Sequence, residues 1–132
     1  MEQIPSFNAL IQKSIIDNWD RDALTDFKGQ TLQFHDVARK IEKLHILFEN
    51  SGIQKGDKIA LCGRNSSQWA VAFIATLTYG AVAVPILHEF NAEQIHNIVN
   101  HSEVIWSIKN AQDAILDPFV DQPGLEPGTS RL

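Results

Sequence analysis

The sequence is poor in several things that would direct a functional reading. Its 132 residues include one cysteine, Cys62, so no disulfide framework can form within the chain, and such usage fits a reducing compartment. Charged residues are slightly sparse at 20%, with a net charge of -5 and both signs mixed along the chain. The longest basic grouping, Arg39, Lys40 and Lys43, is diluted by Asp36 and Glu42. That excludes a nucleic-acid-binding stripe and leaves the solvated face of a helix. Long uninterrupted apolar runs are missing too. Trp69 to Leu87 is broken by Thr76, Thr78, Gly80 and Pro85, and reads as buried helix, glycine stop and buried strand, with no transmembrane segment. Met1 to Pro5 carries an acid and no Lys or Arg, so no basic-plus-apolar leader is present and the expected location is cytoplasmic.

What is present is an apolar share of 44%, enough for one domain with a core and hardly for two. A first helix is expected from about Phe7 to Trp19, with Phe7, Leu10, Ile11 and Ile15 on one face. A two-stranded ribbon follows, Ala23 to Phe27 and Gln30 to Gln33, around a turn at Lys28-Gly29 where glycine suits a positive φ. The clearest helix is Phe34 to Asn50. There Val37, Ile41, Leu44 and Phe48 recur at four, three and four residues, and Ser51-Gly52 ends it.

From there the pattern alternates. Lys58 to Cys62 reads as a strand, and Asn65 or Ser66 caps a helix running to Tyr79. Gly80 stops that helix before a strand from Ala81 to Ile86, which Pro85 limits. Asn91 with Gln94 caps a helix Ala92 to Ser102 striped by Ile95, Ile98 and Val99, and Val104 to Ile108 is a third strand. Strand, helix, strand, helix, strand with short connections implies a parallel α/β unit. The expected fold is therefore α/β: a partial parallel sheet with helices on its faces, preceded by an N-terminal helix and a short β ribbon. Residues 1–109 form this body. Residues 110–132 read as an irregular tail, with three prolines and two glycines from Asp117 to Leu132.

Chemistry-bearing residues are scattered. Gly52-Ile53-Gln54-Lys55-Gly56-Asp57 suggests a phosphate loop, but it lacks the Gly-Lys-Ser/Thr ending and precedes a strand, so Lys55 and Asp57 read as turn residues. Gly63-Arg64-Asn65-Ser66-Ser67 is better placed, at a helix start where an anion could sit. Capping is the stronger reading there. His35 and His45 are ten residues apart on one helix, about 15 Å of rise, and cannot share a metal. His96 and His101 point to different sides, and His88 stands beside Glu89 after a strand, where open sheets place ligands. Cys62 reads as an inert buried thiol, and Ser66, Ser67 and Ser102 have no base arranged around them. Trp19, Trp69, Tyr79 and Trp106 read as core residues.

In order and spacing, the segments Phe27-Lys28-Gly29-Gln30-Thr31-Leu32-Gln33-Phe34, Gly52 to Leu61, Asn65-Ser66-Ser67-Gln68-Trp69 and Tyr79-Gly80-Ala81-Val82-Ala83-Val84-Pro85 are informative together. From about Ile4 to Glu103 the chain resembles the beginning of the acyl-adenylate-forming, AMP-binding enzymes, most closely the bacterial long-chain fatty-acid–CoA ligases. The resemblance implies a parent that uses ATP and magnesium to form an acyl-adenylate and passes the acyl group to CoA. It implies framework roles for Gly56, Asp57, Gly80 and Pro85. The family's phosphate loop, its aromatic-Thr-Glu segment, its ribose-binding Asp and its C-terminal lysine do not occur in this sequence, so no catalytic, cofactor-binding or metal residue is assigned. Gln33 stands where many relatives have a capping Thr, and the stretch after Glu103 departs from the family's usual continuation.

These readings lead to an N-terminal fragment of a fatty-acid–CoA ligase, inactive alone and holding no cofactor, with ATP, magnesium, CoA and fatty acid used only by the full-length parent. The competing reading is a binding or self-assembly module that uses an exposed sheet edge or apolar helix face. A third is a small nucleotide-binding protein using the helix start near Ser66.

Overall fold

The structure, a computed structural model, describes residues 4–87, 89–104, 106–108 and 125–127. In chain order its elements are α1 (Phe7–Asp17), β1 (Asp22–Thr25), β2 (Thr31–Gln33), α2 (Phe34–Asn50), β3 (Lys58–Gly63), α3 (Ser67–Tyr79), β4 (Val82–Leu87), α4 (Ala92–Ser102), β5 (Trp106–Ile108) and β6 (Leu125–Pro127). The expected helices and strands are all present, with ends shifted by a few residues. Within the stretch read as an irregular tail, β6 pairs antiparallel with β5. The remainder of that stretch lies outside the described residues.

β1 and β2 form the antiparallel ribbon. The main sheet runs β4-β3-β5-β6, with β3 parallel to both β4 and β5. Side chains alternate along a strand, and β3 uses both directions. Ile59 and Leu61 enter a core with Leu44 and Phe48 of α2 and Val71, Ala72 and Ala75 of α3. Ala60 enters a smaller core with Ile86, Val99 and Val104, against which Cys62 packs. Helices α2 and α3 therefore cover one face of the sheet, and α4 covers the other. A strand buried on both faces needs an unbroken apolar run, which Ile59-Ala60-Leu61 supplies.

Helix α2 has its apolar stripe where the spacing placed it: Val37, Ile41, Leu44 and Phe48 are all buried. Its start is firmer than Gln33 suggested. The Gln33 N–H donates to the Asp36 carboxylate at 2.9 Å, which satisfies a donor at the helix entrance. Tyr79 of α3 donates its hydroxyl to the Ile53 carbonyl and packs edge-on against Phe48 at 5.3 Å. Burial, with the Glu49 and Asp57 charges, raises the Tyr79 pKa, so the hydroxyl stays a donor.

One turn expectation needs correction. In the ribbon the positive φ falls on Lys28 (53°), and Gly29 does not share it. Glycine is suited to position 29 for a different reason: a Cβ there would stand 3.0 Å from the Asp26 Cβ. Pro85, expected to limit its strand, lies inside β4 opposite Leu61, as the expected bounds of that strand had it, and the strand runs on to Leu87. The Val82 N–H donates to the Asp57 carbonyl at 2.8 Å, which sets the parity of the ladder. Val82, Val84 and Ile86 turn their backbone polar groups to β3, whereas Ala83, Pro85 and Leu87 turn theirs to the open edge. The N–H that proline lacks is therefore not missing from the β3–β4 ladder.

Phe48 is fully buried where α2, α3 and the 51–57 turn meet. Phe48→Ala is expected to cost about 3–5 kcal/mol in urea unfolding, the usual range for emptying such a site. A loss below about 1 kcal/mol would show that this core is not tightly formed.

Candidate functional site

In a parallel α/β unit, the place to look for a ligand is the connection from a strand's C-terminal end into the next helix. Here that connection runs from β3 through Arg64 and Asn65 to α3. Ser66 is the N-cap, with extended backbone (φ -160°, ψ 168°), and its hydroxyl accepts from the Trp69 N–H at 3.1 Å. This decides between Asn65 and Ser66.

The next residue carries the feature that sequence reading missed. The Ser67 N–H donates to Asp26 Oδ1 at 2.7 Å, and the Ser67 hydroxyl donates to Asp26 Oδ2 at 2.7 Å. Asp26 lies at the ribbon turn, 41 residues earlier in the chain. The Ser67 amide, and after it the Ser67 hydroxyl, hold the Asp26 carboxyl below its ordinary value of 3.8, outweighing a small desolvation cost. The positive end of α3 therefore already holds an anion, and it is the protein's own. Two of the amides at this helix start, those of Ser67 and Trp69, are taken by Asp26 and Ser66. Ser67 is 4% exposed and its hydroxyl faces a carboxylate with no histidine in the arrangement, so it is a tether. Beside it, Gln68 is buried, and among the described residues its Oε1 has no hydrogen-bond partner.

Several of the other singled-out residues tie elements together. Gly56 (φ 88°) and Gly80 (φ 93°) meet: the Gly56 N–H donates to the Gly80 carbonyl at 2.9 Å. A Cβ on Gly80 would lie 3.1 Å from the Lys55 side chain. The Asp57 carboxylate accepts from the Gln54 N–H at 2.7 Å, so Lys55-Gly56-Asp57 is a brace between the turns that precede β3 and β4. His45 Nε2 stands 3.0 Å from the Ala75 carbonyl and 3.0 Å from the Thr78 hydroxyl. A carbonyl only accepts, so Nε2 carries the hydrogen and His45 ties α2 to α3. His35 donates from Nδ1 to the Trp19 carbonyl at 2.9 Å in the same way. Trp19 differs from its core assignment: it is 42% exposed, beside the His35 ring. Cys62 is half-buried, and Ser102 lies at the end of α4. His88 and the side chain of Trp106 lie outside the described residues. Among the described residues, no three His, Cys, Asp or Glu side chains come together in a way that could hold a metal ion. No helix among them is long and apolar enough to cross a membrane.

Residues 12–124 match the family described as AMP-binding enzyme. The chain belongs to that family. The match continues past Glu103, where the family likeness was expected to stop. Over 118 residues the chain is 25% identical to a long-chain-fatty-acid–CoA ligase of Bacillus subtilis (strain 168), covering 86% of this chain and 19% of that protein. A second such ligase, FadD15 of Mycobacterium bovis, is 30% identical over 70 residues, 53% of this chain and 12% of that one. The N-terminal subdomain of Klebsiella oxytoca NpsA has the same fold, with a TM-score of 0.77 at 18% identity over 93% of this chain and 36% of that chain. A variant of coronafacic acid ligase from Pectobacterium brasiliense follows with a TM-score of 0.73 at 22% identity, over 77% of this chain and 20% of that one. The α/β architecture is thus that of the N-terminal subdomain of adenylation domains. The chain spans about a fifth of the length of the Bacillus relative.

In this AMP-binding family member, the Asp26–Ser67 tether has a testable acid signature. A carboxyl with a depressed folded pKa contributes stability that is present above its unfolded value, near 3.8, and lost as pH falls through the folded value. Asp26→Asn should therefore lower the urea midpoint at pH 7, and the gap to the unsubstituted protein should narrow below pH 3.8. A gap of constant size from pH 7 to pH 2 would remove the carboxylate from the explanation.

Proposed function

We propose that this chain supplies the N-terminal part of the large adenylating domain of an ATP-dependent long-chain fatty-acid–CoA ligase, and that it does not catalyse alone. The observation that carries the reading is the strand-to-helix junction at Ser66-Ser67. It is the position at which this fold could receive a phosphate, and Asp26 fills it from within. The likeness to long-chain fatty-acid–CoA ligases supports the substrate class. In this reading residues 1–109 are the domain body and 110–132 its continuation toward the rest of a parent enzyme.

The described side chains do not fit ATP with magnesium. A triphosphate needs converging donors and cations at a helix start, and its metal needs carboxylate oxygens. The α3 start offers Arg64 alone as a cation and already contains a carboxylate. ATP, magnesium, CoA and a fatty acid are accordingly assigned to the full-length parent, in the cytoplasm, and no chemical step is placed on these residues.

A second reading, self-assembly, is favoured by one observation. Val82 and Leu87 of the β4 edge are 44% and 61% exposed. Pro85 opposes it, because it removes a donor from the middle of that edge.

ATP–pyrophosphate exchange with palmitate and magnesium separates these readings from an active enzyme. The pure chain is expected to show no exchange above the protein-free blank at any concentration tested. Exchange that scales with protein and saturates with ATP would overturn the proposal. Light scattering on the same samples should give a monomer, and a dimer that dissociates on dilution would favour self-assembly.

A further inference from the structure

The three cations of α2, Arg39, Lys40 and Lys43, lie on its solvated face, with Arg39 and Lys43 exposed and Lys40 half-buried. Arg39 and Lys43 are four residues apart and Lys40 and Lys43 three apart, so both pairs are neighbours on the helix surface, where like charges are destabilising. Among the described residues, none of the three lies within 4.0 Å of a carboxylate; the ion pairs there involve Lys13 and His35. Asp36 is close in sequence, but its carboxylate accepts from the Gln33 N–H at 2.9 Å and lies 3.4 Å from His35 Nε2. The cations border a groove of about 340 Å³ between β2 and α2, with Gln30, Thr31 and Asp36 also on its wall. Burial, then the neighbouring Lys43, makes the Lys40 ammonium less favourable than in water, with Asp36 opposing.

We propose that this groove between β2 and α2 binds the phosphate group of a small phosphorylated molecule through Arg39, Lys40 and Lys43. An oxyanion there relieves the like-charge repulsion, and Arg39 supplies a planar fork suited to phosphate oxygens. The groove is open to solvent and its wall is mainly polar, which suits a small charged group. The chain's net charge of -5 sets this patch against the sign of the whole molecule, which disfavours a long polyanion running beyond the groove. The site is separate from the α3 start and does not depend on the function proposed above.

The test is a ¹H–¹⁵N NMR titration of the full 132-residue chain with sodium pyrophosphate at constant ionic strength, repeated with inorganic phosphate. Saturating shifts are expected at the amides of 31–33 and 39–43, with pyrophosphate binding more tightly than phosphate. The Arg39→Gln/Lys43→Gln variant should bind about tenfold more weakly, from two exposed charge contacts of ordinary strength. Lys43→Glu alone should abolish saturation, and Lys13→Gln on α1 should change nothing. Far-UV circular dichroism and the dispersion of the amide spectrum confirm that each variant is folded. Shifts that grow linearly without saturation, binding unchanged in the double variant, or shifts centred on Ser66 to Trp69 would each overturn the proposal.

Discussion

The organisation of this protein rests on one constraint: β3 is buried on both faces. Ile59 and Leu61 require one apolar layer and Ala60 another, and a single helix cannot provide both. The chain meets this by sending α3 to one side of the sheet and α4 to the other, with α2 completing the larger layer. Full burial of a Leu, Ile or Phe side chain contributes about 1.5–3 kcal/mol, so Leu44, Phe48, Ile59 and Leu61 together outweigh any single polar tie in the molecule. The polar ties act differently. His45, Tyr79 and Asp26 each join elements distant in sequence, and they determine how layers already driven together by burial are aligned.

The same arrangement separates fold from activity. Parallel strands deliver their following helices with the N-termini at one end of the sheet, which makes this architecture a natural carrier of nucleotide sites. At the first such junction the chain inserts its own carboxylate. Asp26 performs the electrostatic role of a bound anion: it accepts from a helix-start amide, lies at the positive end of the α3 dipole, and joins the ribbon to the main body. A ligand-binding geometry has become a structural joint.

Much of the fold was legible in the sequence because it depends on local periodicity. The stripe Val37, Ile41, Leu44 and Phe48 gave the bounds of α2, and Asn91 with Gln94 gave the start of α4, where both reciprocal bonds are 2.9 Å. Failures occurred where distant residues decide the outcome. The 26–29 turn reads as a glycine turn, yet the positive φ belongs to Lys28, and Gly29 answers to its close approach to Asp26. Pro85 reads as a limit on its strand because proline lacks a donor, but sequence does not reveal which side of an edge strand each residue faces. The Asp26–Ser67 pair had no local signal beyond an aspartate in a turn, and β6 lies in a Pro/Gly-containing stretch without a useful period.

The central claim, a folded scaffold organised around β3, is tested most directly by native-state amide hydrogen exchange on the isolated chain. The ladder-facing amides of Ile59, Ala60 and Leu61 should exchange slowest, at the rate set by global unfolding, with those of α3 close behind and those of α1, which buries no side chain fully, exchanging fastest. Fast exchange throughout β3 and α3, indistinguishable from that of α1, would contradict the account.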